Sequence, residues 1–411
     1  MKYCLIGETL KHSYSVDIHE KNGFDYTLKE LKKEDLGEFF RKREFDGFNV
    51  TVPYKKKATE YLDYIDDEAK KTGSVNTVIN VNGKLTGYNT DVYGLEFLFK
   101  RAGENVYGKN VLIAGTGGAS AAAVTFAKKS GAKKIAVVSR KGDINYENCY
   151  DLLPETEIII NATPAGMFPE VNGKLFDLKR FNNLGFVADC VYNPLKTNLI
   201  IDAEELGVKC SGGLPMLVGQ AVKAEEIWTG KSYDYSAEML LSGLYLSKSN
   251  LVLYGMPSCG KSFIGKKAAE ILKREFFDSD KVFEKEFGIT PEDFIVKFGE
   301  EEFREKESKI IEKLSLKNGC VISVGGGAVI KKSNARALKR NGVLCYVKRD
   351  LSLLSDCGRP ISKAKGIENL YNERKDIYES IKEFFVYNDD NTEEVAKRAV
   401  KGYEDSCNKR R

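Results

Sequence analysis

Histidine is almost missing: the chain of 411 residues has two, His12 and His19, in one short segment. Proton transfer anywhere else must fall to Lys, Asp, Glu or Tyr. Nine scattered cysteines contain no C-x-x-C pair, an odd number that points to reduced thiols and makes a zinc site unexpected. No apolar run is long enough to span a bilayer, and the first strand-sized run, 3–7, stops at Glu8 without forming a signal-peptide core. Surplus charge is missing too. With 64 basic and 60 acidic side chains the net charge is +4, which gives no case for a nucleic-acid or membrane partner. The expectation is a cytoplasmic protein acting on small molecules. At this length one core does not suffice, and two or three domains are expected. Apolar content of 42% and charged content of 30% are ordinary for globular chains.

What is present begins with a glycine-rich stretch in mid-chain. An apolar strand-like run, 251–254, delivers the backbone to Gly255, and Gly260, Lys261 and Ser262 follow before a helical pattern. This is G-x-x-x-x-G-K-S with a strand before it and a helix after. Glycines let backbone N–H groups curl round phosphate oxygens at a helix N-terminus of partial positive charge. Lys261 would reach the outer phosphates and Ser262 would ligate Mg²⁺. Such a unit starts a domain, so some 250 residues before it must do something else.

The first segment carries three clusters. Ser13 and Ser15, two apart in a polar stretch, can offer hydroxyls to one small ligand or cap the helix that follows. A strand over 48–52 ends at Pro53, and Lys55 opens a lysine run with Lys56 and Lys57 that otherwise reads as a solvated face. Asn82 and Gly83 between apolar runs predict a hairpin, which sets Asn76 and Asp91 at comparable ends of neighbouring strands. H-S-x-S, N-V-T-V-P-Y-K, G-S-V-N-T and G-x-N-T-D, in this order, resemble the substrate domain of the shikimate dehydrogenase family. The resemblance implies that Ser13 and Ser15 hold a substrate carboxylate, that Thr51, Lys55, Asn76 and Asp91 surround ring hydroxyls, and that Lys55 and Asp91 are the catalytic pair. The chemistry suits them: an ammonium held by a carboxylate can protonate a ketone oxygen as hydride reaches carbon.

Residues 109–120 read as strand, glycine turn and helix, with Gly115, Gly117, Gly118 and Ala119 in the turn. Ser120 stands where G-x-G-x-x-G has its last glycine; pyrophosphate on the helix N-terminus is the expected ligand, and a tight turn without cofactor is the plain alternative. After the next strand, 135–138, come Ser139, Arg140 and Lys141, which suit the 2′-phosphate of NADP, while Asp143 leaves NAD open. From Lys141 to a strand at 158–160 there are too few residues for the helix and strand usual in the family, so a trimmed cofactor domain is expected. N-A-T-P-A-G-M at 161–167, D-C-V-Y-N-P at 189–194 and G-L-P-M-L-V-G-Q at 213–220 extend the resemblance. It implies Thr163 and Gly213 beside the cofactor, and Tyr192 and Gln220 on the substrate.

In the last segment Asp278 and Asp280, two apart at a strand end, are expected to point to one side. Arg304 lies in F-R-E, a strand over 321–324 runs into Gly325, Gly326 and Gly327, G-R-P falls at 358–360, and N-E-R with Arg374 opens a later helix. With the glycine-rich stretch this set resembles shikimate kinase. The resemblance implies that Gly255, Ser258, Cys259, Gly260, Lys261, Ser262 and Phe263 hold ATP, with Ser262 and Asp278 serving Mg²⁺. Asp280 would take the proton of the attacking hydroxyl, Arg304 and Arg374 would clamp the substrate carboxylate, and Gly326 and Gly327 would line it. Arg359 would close over the transferring phosphoryl group on a lid. Two departures stand out. Phe263 replaces a commoner threonine, and 351–357 lacks the arginine that the family stacks on adenine, which leaves nucleotide preference open.

The expected fold is α/β throughout. A discontinuous substrate domain, 1–100 plus 214–247, receives an inserted, trimmed Rossmann-like NADP domain, 101–213, and a P-loop domain of the nucleoside-monophosphate-kinase type, three-layered, follows at 250–411. The function implied is bifunctional: NADPH-dependent reduction of 3-dehydroshikimate, then ATP-dependent phosphorylation of the shikimate 3-hydroxyl. The rivals are a chain with one active half and one substrate-binding regulatory half, a dehydrogenase half that prefers quinate, and an ATP-switched interaction module. The sequence carries no sign of oligomeric state.

Overall fold

The computed structural model describes residues 1–10, 13–232, 234–355 and 366–410. The chain divides into two compact units, Met1–Leu241 and Ser242–Arg411. The boundary falls inside the helix Asp234–Lys248, earlier than the junction the sequence suggests. The end of that helix is held by the second unit's own residues: the carbonyl of Leu246 accepts from Arg274 Nη2 and from the Tyr403 hydroxyl, both at 2.6 Å.

The first unit holds two sheets. One contains β1 (Lys2–Gly7), β2 (Asp25–Glu30), β3 (Gly47–Val50), β4 (Tyr64–Ile65), β5 (Thr77–Val81) and β6 (Lys84–Tyr88), in the order β2-β1-β3-β5-β6-β4. The β5–β6 hairpin turns at Asn82 and Gly83, with φ of 51° and 78°, the left-handed pair that a tight two-residue turn demands. On one face Ile6, Phe48 and Val78 bury against Phe39 and Phe40; on the other Tyr3, Leu5 and Tyr26 bury against Trp228. Trp228 closes the helix Leu214–Thr229 onto this sheet by donating Nε1–H to the carbonyl of Val78 at 2.9 Å.

The second sheet is wholly parallel: β7 (Asn110–Ala114), β8 (Lys134–Val138), β9 (Ile158–Asn161), β10 (Phe186–Asp189) and β11 (Lys209–Ser211), ordered β11-β10-β9-β7-β8. Its central strands are continuous apolar runs because both faces are covered. Val111, Ile113, Ile158 and Ile160 meet Leu95, Leu98 and Phe126 of the helices Asp91–Arg101 and Gly118–Lys129. Leu112, Ile159 and Val187 meet a layer in which the connection from β8 to β9 contributes a helix of only four residues, Cys149–Leu152. Aromatic rings fill that face instead. Tyr150 packs on Phe181 at 4.9 Å and Tyr146 on Phe176 at 5.4 Å, while the Arg180 guanidinium lies 3.7 Å from the Tyr150 ring centre. Each fully buried ring of this kind contributes about 1.5–3 kcal/mol.

The second unit has one parallel sheet: β12 (Asn250–Tyr254), β13 (Phe276–Asp278), β14 (Val321–Ser323), β15 (Gly342–Lys348) and β16 (Phe384–Tyr387), ordered β13-β14-β12-β15-β16. Leu251 to Tyr254 are completely buried at its centre. The chain leaves β12 for one side of the sheet and returns on the other, which opens a crevice at the strand's carboxyl end. Among the described residues no helix is long and apolar enough to cross a membrane.

Candidate active sites

In the first unit Thr77 lies opposite Tyr88 in antiparallel register, so Asn76 before β5 and Asp91 after β6 emerge at one edge. Asn76 Nδ2 donates to Asp91 Oδ1 at 2.8 Å, and Asn76 Oδ1 accepts from the Thr90 amide at 2.8 Å. Asp91 Oδ2 is left for Lys55, whose Nζ lies 2.6 Å away; the two side chains are 6% and 19% exposed. Gln220 comes to the same place from the helix Leu214–Thr229, its Oε1 accepting from Asn76 Nδ2 at 3.4 Å and Thr90 Oγ1 at 3.3 Å. Thr51 follows β3, its amide donating to the Ile6 carbonyl at 2.9 Å.

Ser13 and Ser15 form a second cluster, with Ser13 Oγ donating to Ser15 Oγ at 3.0 Å. Ser13 also bonds the Tyr192 phenol, which burial pushes up to about 12 against the pull of that bond. Two residues absent from the sequence-based candidates join the clusters. Tyr26, in hydrogen-bond contact with Ser15, donates its hydroxyl to Asn49 Oδ1 at 2.7 Å. Asn49 Nδ2 in turn donates to Thr77 Oγ1 at 3.0 Å and to the Asn76 carbonyl at 3.2 Å. An amide inside a wholly buried strand is the signal that points to Asn49.

The glycine turn after β7 reaches this edge. A Cβ on Gly118 would lie 3.5 Å from Lys55 Cδ. Gly115 has φ of 109°, and a Cβ there would stand 3.0 Å from the Ala162 carbonyl oxygen, so only glycine leaves the crevice open. Gly117 caps the helix Gly118–Lys129, which has no acid in its first turn, and Ala119 lies in that turn; the exposed N–H groups suit a pyrophosphate. Ser120 explains itself: its hydroxyl donates to the Gly115 carbonyl at 2.6 Å and ties the turn to the helix. Opposite, Thr163 donates through N and Oγ1 to Asn161 Oδ1, at 2.9 and 2.7 Å. Buried Asp189 accepts from Asn161 Nδ2 and the Val191 amide and orders both loops; desolvation pushes its carboxyl up to about 7. Gly213 must be glycine, since a Cβ would meet the Cys190 carbonyl oxygen at 2.4 Å. Ser139, Arg140 and Lys141 follow β8, with both basic side chains exposed.

In the second unit the cradle of Gly255, Ser258 and Gly260 has φ of 148°, 64° and 94°. Cys259 is buried behind it and Phe263 is exposed at its rim. Lys261 is 8% exposed and folds back, Nζ donating to the carbonyls of Gly255 at 3.2 Å and Met256 at 2.8 Å. Ser262 donates its hydroxyl to Asp278, a hydroxyl–carboxylate pair that suits a hard cation. The two aspartates do not share a strand. Asp278 ends β13 and caps the helix Ser279–Phe287 by accepting from the Asp280 amide at 3.0 Å, which puts Asp280 in the first turn. Capping wins over strand extension here because the first N–H groups of a helix have no partner within it and a carboxylate at the cap supplies one. Both aspartates still face one cleft of about 560 Å³, shared with Lys261, Arg304, Gly326, Gly327 and Arg374.

Glu307 is absent from the sequence-based candidates and central to this cleft. It is 3% exposed, and burial pushes its carboxyl up while Arg304 pulls it down. Its Oε2 accepts from Arg304 Nη1 at 2.8 Å; its Oε1 is buried without a partner among the described residues. Oε1 and Asp280 Oδ1 each lie 3.0 Å from the point a Gly325 Cβ would occupy, and a Gly327 Cβ would strike Arg304 Nη2 at 2.3 Å. The spacing of Arg304 and Glu307, three apart on one helix, is the signal that could have found it. Arg374 is buried in the middle of the helix Ile367–Ile381 rather than at its start, in contact with the Tyr378 phenol, which also bonds the Gly326 carbonyl. Arg359 lies outside the described residues.

Comparison with known proteins divides the chain in the same two. The family model of the shikimate dehydrogenase substrate binding domain matches residues 5–78, and that of shikimate kinase matches residues 257–404. An NADP(+) shikimate dehydrogenase of Clostridium perfringens is 40% identical over 255 residues, 57% of this chain and 94% of the relative. The crystal structure of shikimate dehydrogenase 1 from Peptoclostridium difficile is 38% identical with a TM-score of 0.55, covering 58% of this chain and 95% of that one. A chorismate mutase/shikimate 5-dehydrogenase fusion protein from Clostridium acetobutylicum is 34% identical with a TM-score of 0.55, covering 58% and 95%. Fusion of this fold to a second enzyme therefore has a precedent. The chain belongs to the shikimate dehydrogenase family and carries a shikimate kinase domain behind it, a bifunctional enzyme of shikimate metabolism.

Proposed function

We propose that the first unit reduces the ring ketone of 3-dehydroshikimate with NADPH and that the second phosphorylates the 3-hydroxyl of shikimate with ATP. The observation that carries the reading is the Lys55–Asp91 pair, held at 2.6 Å directly beside the glycine turn. The crevice fits a dinucleotide, because Gly115 keeps it open and the helix behind Gly117 presents N–H groups to a pyrophosphate. When bound there the dinucleotide supplies hydride. Lys55 gives its proton to the ketone oxygen, and Asp91, fixed by Asn76, holds the ammonium in place. Ser13, Ser15 and Tyr192 take the carboxylate, while Thr51, Asn76 and Gln220 read the ring hydroxyls.

In the second unit Arg304 and Arg374 take the acceptor's carboxylate, and Gly326 and Gly327 leave room for its ring. Asp280 accepts the proton of the attacking hydroxyl. Lys261, released from the Gly255 and Met256 carbonyls, stabilises charge on the transferring group, with Ser262 and Asp278 around Mg²⁺. The experiment that tests both halves incubates the purified chain with 3-dehydroshikimate, NADPH and ATP-Mg²⁺ and identifies the products. Shikimate 3-phosphate is expected; a run that stops at shikimate removes the kinase half, and one that leaves the ketone intact removes the dehydrogenase half.

Arg140 and Lys141 account for the choice of NADP over NAD. An exposed guanidinium paired to the 2′-phosphate is worth about 1.5–3 kcal/mol. Arg140→Ala is therefore expected to raise the KM for NADPH by about tenfold or more while the KM for NADH stays put. Equal changes for both cofactors would assign Arg140 to the pyrophosphate or to folding instead.

A further inference from the structure

The P-loop cleft contains a guanidinium with no counter-charge among the described residues. Among the basic side chains of the cleft, Lys261 is satisfied by its own loop's carbonyls, Lys281 pairs with Glu284, Arg304 is held by Glu300 and Glu307, and Arg374 lies against Tyr378 and in the field of Glu307. Arg349 is different. It directly follows β15 and lines the same cleft, and Nη1 donates to the carbonyl of Ser258, in the P-loop, at 3.2 Å. Its Nε is shielded from solvent without an acceptor, and no carboxylate pairs with the group among the described residues. A half-buried cation without a counter-charge is costly, and a cleft that keeps one is poised for an anion.

Sheet order says which anion. Asp278, Asp280 and the three glycines stand at the ends of β13 and β14, on one side of β12. Arg349 stands at the end of β15, on the other side. The acceptor's carboxylate belongs with Arg304 and Arg374 on the first side, so what comes to Arg349 comes with the phosphate donor. The P-loop is fastened on this side too: Ser258, at φ of 64°, donates its hydroxyl to the Ser355 carbonyl at 2.7 Å. We propose that Arg349 binds the phosphate chain of the nucleotide, next to Ser258 and away from the acceptor. The inference rests on the kinase reading above. It gives the chain a cation on the donor side although 351–357 lacks an arginine.

The test uses the full chain and titration calorimetry, with ADP and inorganic tripolyphosphate as probes, both with Mg²⁺. Arg349→Ala and Arg349→Met are expected to bind both probes about tenfold or more weakly, with Arg349→Lys in between. The KM for ATP should rise in step while that for shikimate holds, and unchanged ketone reduction by the first unit reports an intact chain. Wild-type protein that binds both probes, with Arg349→Ala binding them equally well, overturns this proposal alone. A loss confined to ADP overturns it as well, because the guanidinium would then serve the base. Wild-type protein that binds neither probe overturns the kinase reading together with it.

Discussion

Lys55→Ala is expected to lower the turnover of NADPH-linked ketone reduction by at least about a hundredfold and to leave shikimate phosphorylation within twofold of wild type. The size follows from the scarcity of alternatives. His19 is buried against Glu225, and the groups hydrogen-bonded round Asp91, from Asn76, Thr90 and Gln220, are amides and a hydroxyl, too weakly acidic to give up a proton to a ketone. The loss should fall on kcat, with the KM for the ketone changing little, because the contacts proposed for the serines on the carboxylate and for Asn76 and Gln220 on the ring are all kept. The Asp91 side chain is 6% exposed and its carboxylate keeps, among the described residues, only the Asn76 bond once Lys55 is gone, so a stability cost of about 1–3 kcal/mol accompanies the substitution. Thermal melting separates the two effects: Asp91→Asn combined with Lys55→Met removes the orphaned charge and restores melting but not turnover. Turnover of Lys55→Ala within tenfold of wild type, or a change confined to KM, would show that another group donates the proton.

Part of each cluster was legible in the sequence from local rules, and the rest, Gln220, Arg304 and Arg374 inside their helices, only from the family resemblance. An asparagine–glycine turn fixes the β5–β6 hairpin, and that alone brings Asn76 and Asp91 to one edge. The strand, glycine turn and helix at Gly115 and at Gly255 are likewise local. What stayed hidden depends on long-range placement. Glu307 looks like one more acid on a charged helix until the fold buries it at 3% exposure over Gly325. Tyr26 and Asn49 belong to strands whose pairing partners, β1 and β5, lie elsewhere in the sequence, so their bond could not be read from spacing. The aspartates at 278 and 280 do face one cleft, but not through the strand period, since a helix begins one residue after β13 ends and its cap sets their placement. The shortened connection after β8 was visible as a missing length, but the rings of Tyr146, Tyr150, Phe176 and Phe181 that replace it come from segments far apart in sequence.

Lys261→Ala is the reciprocal experiment, expected to lower phosphorylation by about a hundred- to a thousandfold with ketone reduction unchanged. Without a nucleotide Nζ is held by two carbonyls of its own loop, and those bonds are exchanged for phosphate oxygens when ATP enters. The alanine variant leaves the carbonyls of buried Gly255 and Met256 short of a donor, at a cost of about 1–3 kcal/mol that thermal melting reads. It loses most where negative charge builds on the transferring phosphoryl group, so kcat should fall further than ATP affinity. Lys261→Arg is expected to do no better, because a side chain only 8% exposed and folded against Gly255 and Met256 leaves no room for a guanidinium. Loss of ketone reduction in Lys261→Ala, or of phosphorylation in Lys55→Ala, would mean that the chemistry of one unit depends on the other. Two losses that stay apart place each reaction on its own lysine.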